Sequence, residues 1–181
     1  MHKQFRGESF DGNTSTGYSR GAGLAMHLEG EHTFSATRGH VWELLNDADV
    51  LARITPGLQE LQAQGEDTYR ALFAIKMGPI NSNFTGTLRV ADRVAPERFR
   101  LLIDIAGNAG STAAEATVTA TPVAGTGPEQ TRVTFTADAK LTGLLVRMGQ
   151  RVLSGVGRLL TRQFFQALDQ EIERSPARES A

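Results

Sequence analysis

The chain contains no cysteine among its 181 residues. This absence excludes disulfide bonds, zinc sites built from thiolates and catalytic cysteines together. A chain that needs no disulfide needs no oxidising compartment, so the composition favours a location in the cytoplasm. The formal net charge is only −1, and a chain without a basic excess is a poor binder of nucleic acid. Nucleic acid is therefore not an expected partner.

Long apolar runs are also missing. No stretch approaches the roughly 18–20 apolar residues that are needed to span a bilayer. The first 25 residues lack the apolar centre of a secretory signal and are rich in Gly, Ser, Thr and Asn. We therefore expect residues 1–25 to form a disordered leader, residues 26–173 to form one folded domain, and residues 174–181 to form a disordered tail.

Histidine and acidic residues are too scattered to indicate a metal centre or an active site. The four histidines include no His-x-His or His-x-x-x-His pair that would bring two imidazoles to one metal ion. His27 and His32 lie five residues apart on one predicted strand and should point to opposite faces. Glu29 and Glu31 share a face of that strand, which favours two solvated carboxylates over a catalytic acid pair. We predict no metal site, no catalytic residue and no cofactor.

Apolar residues that alternate with polar ones predict seven strands, at 27–34, 58–65, 67–78, 81–93, 98–106, 112–121 and 131–141. Two short helices are expected after the first strand, with Thr37 and Asp47 as their N-caps and Pro56 beyond their end. Helical periodicity then runs from Gly143 to Glu173. Connections of hairpin length imply an antiparallel sheet, and the final helix is the element that can cover one face of it.

The predicted inner face of the sheet carries small residues. It includes Ala71, Gly86, Ala114, Ala116, Ala120, Ala137 and Ala139. The helix face predicted to meet it is of medium size and consists of Leu144, Leu145, Met148, Val152, Val156 and Leu159. Because interiors pack to crystal-like density, either the helix approaches closely or an apolar cavity remains, and a cavity would suit an apolar ligand. The expected lining is Phe73, Ile75, Met77, Phe84, Leu88, Leu101, Ile103, Phe135, Met148 and Val152.

The final helix is basic although the chain is not. Residues 141–168 contain no acidic residue and four arginines, Arg147, Arg151, Arg158 and Arg162. At about 100° per residue, these four fall within about 60° of one another on a helix. A second apolar flank, opposite the predicted core face, contains Val146, Leu153, Phe164 and Leu168. Basic residues beside apolar ones are typical of contact with an anionic membrane or an acidic partner, and an ordinary solvated face is the alternative.

Three segments together resemble one protein family. VWELLNDADVLARITPG (41–57) resembles the V-W-x-x-L-x-D-P-x-x-L-x-x-x-x-P-G opening of the CoxG subunit of carbon monoxide dehydrogenase, although Ala48 stands where proline is usual. IKMGPINSNFTGTLRV (75–90) resembles a K-x-G-P segment followed by F-x-G, and MGQRVLSGVGRLLTRQFF (148–165) resembles the C-terminal helix. The resemblance covers residues 26–172, and the CoxG family belongs to the SRPBCC, or START-like, helix-grip superfamily.

The resemblance implies both a fold and a class of function. The implied fold is an α+β helix-grip, in which a seven-stranded antiparallel sheet wraps around a long C-terminal helix and two short helices follow strand 1. The implied function is that of a non-enzymatic accessory protein that binds a lipid- or quinone-like molecule. Such a protein would serve a molybdenum hydroxylase through membrane recruitment, maturation or quinone coupling, with peripheral contact at the inner membrane face through the four arginines.

Two alternatives to this accessory role stay open. One is an enzyme of the cyclase or hydrolase type that uses the same cavity, with Tyr69 as its main polar side chain. The other is a structural adaptor whose core is filled. Polar side chains that point into the cavity would favour the enzyme, and the absence of a cavity would favour the adaptor.

Overall fold

A computed structural model describes residues 23–125 and 127–175, which form seven strands and four helices. The strands are β1 (Leu24–Phe34), β2 (Leu58–Gly65), β3 (Thr68–Met77), β4 (Ile80–Val94), β5 (Arg98–Gly107), β6 (Gly110–Val123) and β7 (Gln130–Leu141). The helices are α1 (Arg38–Leu45), α2 (Ala48–Ile54), α3 (Leu144–Arg147) and α4 (Gln150–Arg174). Neighbouring strands pair antiparallel in the order β1-β7-β6-β5-β4-β3-β2. The predicted helix-grip fold is confirmed.

The first strand begins two residues before the predicted domain start at Met26. Its first residues, Leu24 and Ala25, pair with the end of β7. The sheet therefore includes the end of the predicted leader, because backbone pairing extends beyond the apolar pattern that defined the prediction. Residues 1–22 and 176–181 lie outside the described residues, so their predicted disorder stays a prediction.

Both short helices begin at the predicted N-caps. The backbone N–H of His40 donates to Thr37 Oγ1 at 3.2 Å, and the backbone N–H of Asp49 donates to Asp47 Oδ1 at 2.9 Å. These bonds satisfy backbone donors that the first turn of a helix leaves unpaired. The two helices close one end of the sheet.

The predicted single C-terminal helix is two helices. α3 ends at Arg147 and α4 begins at Gln150, because Gly149 adopts φ 81° and ψ 156°, outside the helical region. The predicted inner face of α4 was derived from Leu145 on the assumption of one continuous helix. The change of direction at Gly149 instead turns another face of α4 toward the sheet.

Burial along the C-terminal helices agrees with the prediction only in part. Leu145 is buried, and Met148 and Val156 pack in the core, as expected. Val152 and Leu159 were expected inside but are 40% and 38% exposed, and Leu144 on α3 is 52% exposed. Leu153 and Leu168 were assigned to the opposite flank, yet their exposure is only 4% and 0%, so the prediction is wrong for these five residues.

Two glycines allow α4 to lie directly on β1. A Cβ atom at Gly157 would come within 3.1 Å of Leu28 Cδ2 on β1, which is shorter than ordinary van der Waals contact. A Cβ atom at Gly30 would lie 3.5 Å from Thr161 Cγ2 on α4. The missing side chains thus bring the helix to the edge strand of the sheet.

The core is divided into two clusters at opposite ends of the sheet. The helical-end cluster joins α1, α2 and the C-terminal half of α4 and contains Phe34, Val41, Leu44, Leu45, Val50, Ile54, Phe99, Val133, Phe165 and Leu168. The hairpin-end cluster joins the β3–β4 hairpin, α3 and the N-terminal part of α4 and contains Ile80, Phe84, Leu141, Leu145 and Leu153.

An ion pair reinforces the helical end. Arg53 Nη2 on α2 donates to Glu171 Oε1 on α4 at 2.5 Å. Glu171 is only 5% exposed, and a buried carboxylate without such a partner would be strongly destabilising. The pair therefore ties α2 to the C-terminal half of α4.

We expect the two central glycines of α4 to respond differently to alanine. Alanine is favoured over glycine in a helix interior by about 1 kcal/mol. The Cβ atom of Gly155→Ala meets no atom of the described residues within 4 Å, so this change should raise Tm by about 2–4 °C. Gly157→Ala should lose this gain because its Cβ atom lies 3.1 Å from Leu28. Thermal unfolding of both variants measures the difference, and equal stabilisation would contradict a close contact at Gly157.

Candidate functional site

Among the inner-face residues that belong to neither core cluster, four larger ones lie side by side on the central strands. They are Tyr69 on β3, Leu88 on β4, and Leu101 and Ile103 on β5; we call them the middle band. Ile103 pairs with Leu88, and Leu88 pairs with Tyr69. All four are partly exposed although their strands lie inside the sheet.

Alanines continue the middle band toward the edge strand. Leu101 pairs with Ala116, Ala116 with Ala137, and Ala137 with Leu28 on β1. These small side chains occupy little of the volume above the sheet. The backbone of α4 approaches β1 and α2 more closely than it approaches β3, β4 or β5. The four residues of the middle band remain partly exposed under this arrangement, whereas Ala116 is buried.

The structure distributes the ten predicted lining residues over several places. Four belong to or pack against the hairpin-end cluster, namely Phe73, Ile75, Phe84 and Met148. Phe135 packs against the helical-end cluster. Met77 and Val152 are assigned to neither cluster, and three residues lie in the middle band, namely Leu88, Leu101 and Ile103. The open band thus brings three of the ten together, and their contact with a ligand stays a prediction.

Exposed apolar residues flank the middle band on α4. A Cβ atom at Gly78, in the β3–β4 turn, would lie 3.8 Å from Val156 Cγ2. Val152 and Leu159 are neighbours of Val156 on the same helix face, at spacings of four and three residues. The exposed side chains of Val152 and Leu159 therefore lie on the side of α4 that faces the β3–β4 hairpin.

A surface depression lies on the other side of α4, along β1. It has a volume of about 300 Å³ and is lined by Gly30, Glu31, His32, Arg158, Thr161, Arg162, Phe165 and Gln166; we call it the β1 groove. The His32 ring stacks on Phe165 at a centroid distance of 5.4 Å, and His32 Nε2 lies 2.7 Å from Asp169 Oδ2. The sequence does not indicate this groove, because His32 and Asp169 are 137 positions apart.

The four predicted arginines are all exposed, but they divide into two pairs. Arg158 and Arg162 line the β1 groove, whereas Arg147 and Arg151 lie nearer the exposed Leu144 and Val152 in the chain. No ion pair among the described residues involves any of the four. Their positive charge is therefore not neutralised by the fold itself.

The outer face of β1 carries the other notable titratable group. His27 Nδ1 lies 2.7 Å from Asp138 Oδ1, and His27 Nε2 lies 3.3 Å from Glu29 Oε2. The hydrogen bond with Asp138, followed by that with Glu29, raises the pKa of His27 above its usual 6.5. Glu29 and Glu31 are both exposed on this face, as predicted. The group is solvated and lies away from the middle band.

Two features are absent from the described residues, a cluster of metal ligands and a membrane-spanning helix. No set of three His, Asp or Glu side chains in residues 23–125 and 127–175 could hold a metal ion. The polar group of the middle band is the Tyr69 hydroxyl. Within the same ranges, no helix combines the length and the apolar character needed to cross a bilayer.

Known proteins share this architecture. The family model for CoxG, a subunit of carbon monoxide dehydrogenase, matches residues 30–173. A conserved protein from Geobacillus kaustophilus is similar at 30% identity and a TM-score of 0.78, over 84% of this chain and 97% of that one. No curated protein matches the chain.

Two more distant structures show the fold alone. The Zhui aromatase/cyclase from Streptomyces sp. R1128 is 16% identical with a TM-score of 0.64, over 87% of this chain and 99% of that one. A START superfamily protein from Mycobacterium smegmatis is 12% identical with a TM-score of 0.64, over 82% of this chain and 97% of that one. Both support a START-like fold.

We expect two leucines to differ in their contribution to stability. Leu168 is completely buried, so Leu168→Ala should lower the free energy of unfolding by about 2–5 kcal/mol. Leu101 is only partly buried, so Leu101→Ala should cost about half of that or less, because fewer contacts are lost. Urea denaturation of the two variants provides the comparison. Equal costs would show that the space over the middle band is filled.

Proposed function

This chain belongs to the CoxG family of carbon monoxide dehydrogenase proteins, and we propose that it is an accessory protein that binds an apolar molecule over the middle band. The observation that carries the proposal is the partial exposure of Leu88, Leu101 and Ile103 inside the sheet. Interiors are normally close-packed, and an apolar ligand would remove these side chains from water at about 25 cal/mol per Å² of buried surface.

The chemistry of the middle band favours a lipid- or quinone-like molecule. Its side chains are apolar except for the Tyr69 hydroxyl, which can hydrogen-bond to a carbonyl or hydroxyl group of the ligand. The exposed Val152 and Leu159 provide an apolar approach from the β3–β4 side. A long apolar molecule with one polar end would fit this distribution.

Membership of the CoxG family supports the proposal of an accessory role beside a molybdenum hydroxylase. CoxG proteins take their name from carbon monoxide dehydrogenase, and we propose that the bound molecule is carried for, or exchanged with, an enzyme of that kind. Among the described residues, no nucleophile, general acid or base accompanies Tyr69 in the middle band. Binding and transfer therefore fit the site better than catalysis.

The enzyme alternative has one observation in its favour, the structural similarity to the Zhui aromatase/cyclase. A cyclase would require the Tyr69 hydroxyl for turnover, whereas a carrier would retain most of its affinity for an apolar molecule after Tyr69→Phe. The adaptor alternative requires a filled core, and the partial exposure of the middle band speaks against it.

We expect Ala116→Phe to block binding of a neutral fluorescent lipid analogue. Ala116 pairs with Leu101 on the inner face, so a phenyl ring would occupy the space over the band. Ala113→Phe is the matched control, because Ala113 is exposed on the outer face of the same strand. Fluorescence titration should show lost affinity for the first variant alone. If the core is filled, Ala116→Phe should instead cost about 1–3 kcal/mol of stability, and the analogue should bind neither variant nor the parent protein.

We also propose that Arg147 and Arg151 give the protein reversible contact with an anionic membrane. The exposed Leu144 and Val152 lie beside them in the chain. Basic and apolar side chains on one exposed surface are attracted to anionic lipid and can enter its interface. The sequence predicts an apolar flank for this contact that includes Leu168, but Leu168 is buried. The exposed Leu144 and Val152 therefore take the place of that flank in the proposed contact.

We expect the double change of Arg147→Gln and Arg151→Gln to weaken binding to phosphatidylserine-containing vesicles by up to roughly 30-fold. This value assumes about 1 kcal/mol for each basic residue near an anionic surface. Co-sedimentation should also weaken as salt rises, because the Debye length falls from about 10 Å at 0.1 M to about 3 Å at 1 M. Arg158→Gln with Arg162→Gln is the control and should have a smaller effect. Equal effects of both pairs, or none, would contradict the assignment.

A further inference from the structure

The two edges of the sheet differ in their protection against further strand pairing. The pairing of β2 with β3 shifts between Leu58 and Glu60 and again between Ala63 and Gly65. In contrast, β1 pairs with β7 along all of its 11 residues without a shift, and it contains neither proline nor lysine. Bulges, prolines and charged side chains, lysine above all, are the usual obstacles to pairing at an edge, and the acidic residues of β1 are Glu29 and Glu31 on its outer face. The described part of the sheet therefore has one irregular edge and one regular edge.

A regular free edge presents backbone N–H and C=O groups that an extended peptide can pair with. The β1 groove lies at the middle of this edge, where Gly30, Glu31 and His32 form one wall. The other wall is α4, with Arg158 and Arg162 one helical turn apart. Backbone pairing and side-chain recognition are thus available at the same place.

The charges around β1 indicate what kind of peptide would fit. Side chains of an added strand point alternately to the two faces, so every second one would lie on the inner side, near Arg158 and Arg162. Carboxylates there would accept charge-assisted hydrogen bonds from the guanidinium groups. Glu29 and Glu31 are exposed on the outer face, so the intervening side chains of the peptide should be neutral.

We propose that the free edge of β1 is a docking site for an extended segment of a partner protein in which acidic and neutral residues alternate. The segment would continue the sheet as an additional strand and place its carboxylates against Arg158 and Arg162. The site is on the opposite side of α4 from the middle band. Docking and binding of the apolar molecule can therefore succeed or fail independently.

A second copy of the chain fits this edge less well. Antiparallel pairing of two β1 strands would place both copies of α4 on the same side of a joined sheet, with arginines facing arginines. The inner face of β1 consists of Leu24, Met26, Leu28, Gly30, His32 and Phe34 and provides no carboxylate to relieve this repulsion. Asp169, the carboxylate of α4 beside the groove, is already bound to His32 at 2.7 Å. Charge therefore favours an acidic partner segment over self-pairing.

The test uses the full chain and a short fluorescent peptide of alternating threonine and glutamate. Fluorescence anisotropy should show binding at or below millimolar peptide, and Arg158→Gln with Arg162→Gln should weaken it at least about tenfold, because two charge-assisted bonds are lost. Arg147→Gln with Arg151→Gln is the matched control and should leave the affinity unchanged. A peptide with lysine in place of glutamate should not bind.

Two further measurements separate strand addition from simple ion binding. Methylation of every second backbone nitrogen of the peptide should abolish binding, because it removes the main-chain donors. Bound peptide should also slow hydrogen exchange of backbone amides in β1. The proposal would be overturned by absence of binding at millimolar peptide, by binding that survives methylation or the Arg158 and Arg162 changes, or by sedimentation of the free protein as a dimer joined through β1.

Discussion

The packing of α4 on the edge strand β1 determines where both candidate sites lie. Gly157 on the helix and Gly30 on β1 leave out side chains where the two elements meet, so the helix lies close to the edge. A helix at the edge cannot also cover the middle of a seven-stranded sheet. One side of α4 consequently borders the uncovered middle band, and its other side forms a wall of the β1 groove. Both candidate sites result from this one packing arrangement.

The direction of α4 is fixed at both of its ends. At its start, Gly149 turns the chain out of the helical region and separates α4 from the buried Leu145 on α3. Toward its end, Glu171 is held by Arg53, and Leu168 is enclosed by the helical-end cluster. Contacts at both ends and the close approach of Gly157 to β1 hold the helix in place. The exposure of Val152 in the first turn and of Leu159 is therefore compatible with a stable helix.

The fold could be predicted from the sequence because its signals are local. Alternation in the strands, the caps at Thr37 and Asp47 and the proline at position 56 each depend on a few neighbouring residues. The faces of the final helix could not be predicted, since one backbone angle at Gly149 decides them and a helical wheel assumes that no such turn exists. The β1 groove joins residues far apart in the chain and left as its only signal the spacing of Arg158 and Arg162.

The inner face of the sheet could be predicted for a related reason. Alternation correctly places Leu88, Leu101 and Ile103 on that face, and their contact with a ligand stays a prediction. Alternation alone cannot distinguish an inner-face residue that packs in a core, such as Phe84, from one that faces open space. That difference depends on where the helix lies, which is a property of the whole fold.

The division of the core into two clusters leaves the middle of the sheet joined mainly by backbone, since the long strands and α4 run through both clusters. A molecule bound over the middle band would contact side chains of both clusters and add the packing that joins them. Binding would then raise the cooperativity of unfolding as well as the melting temperature.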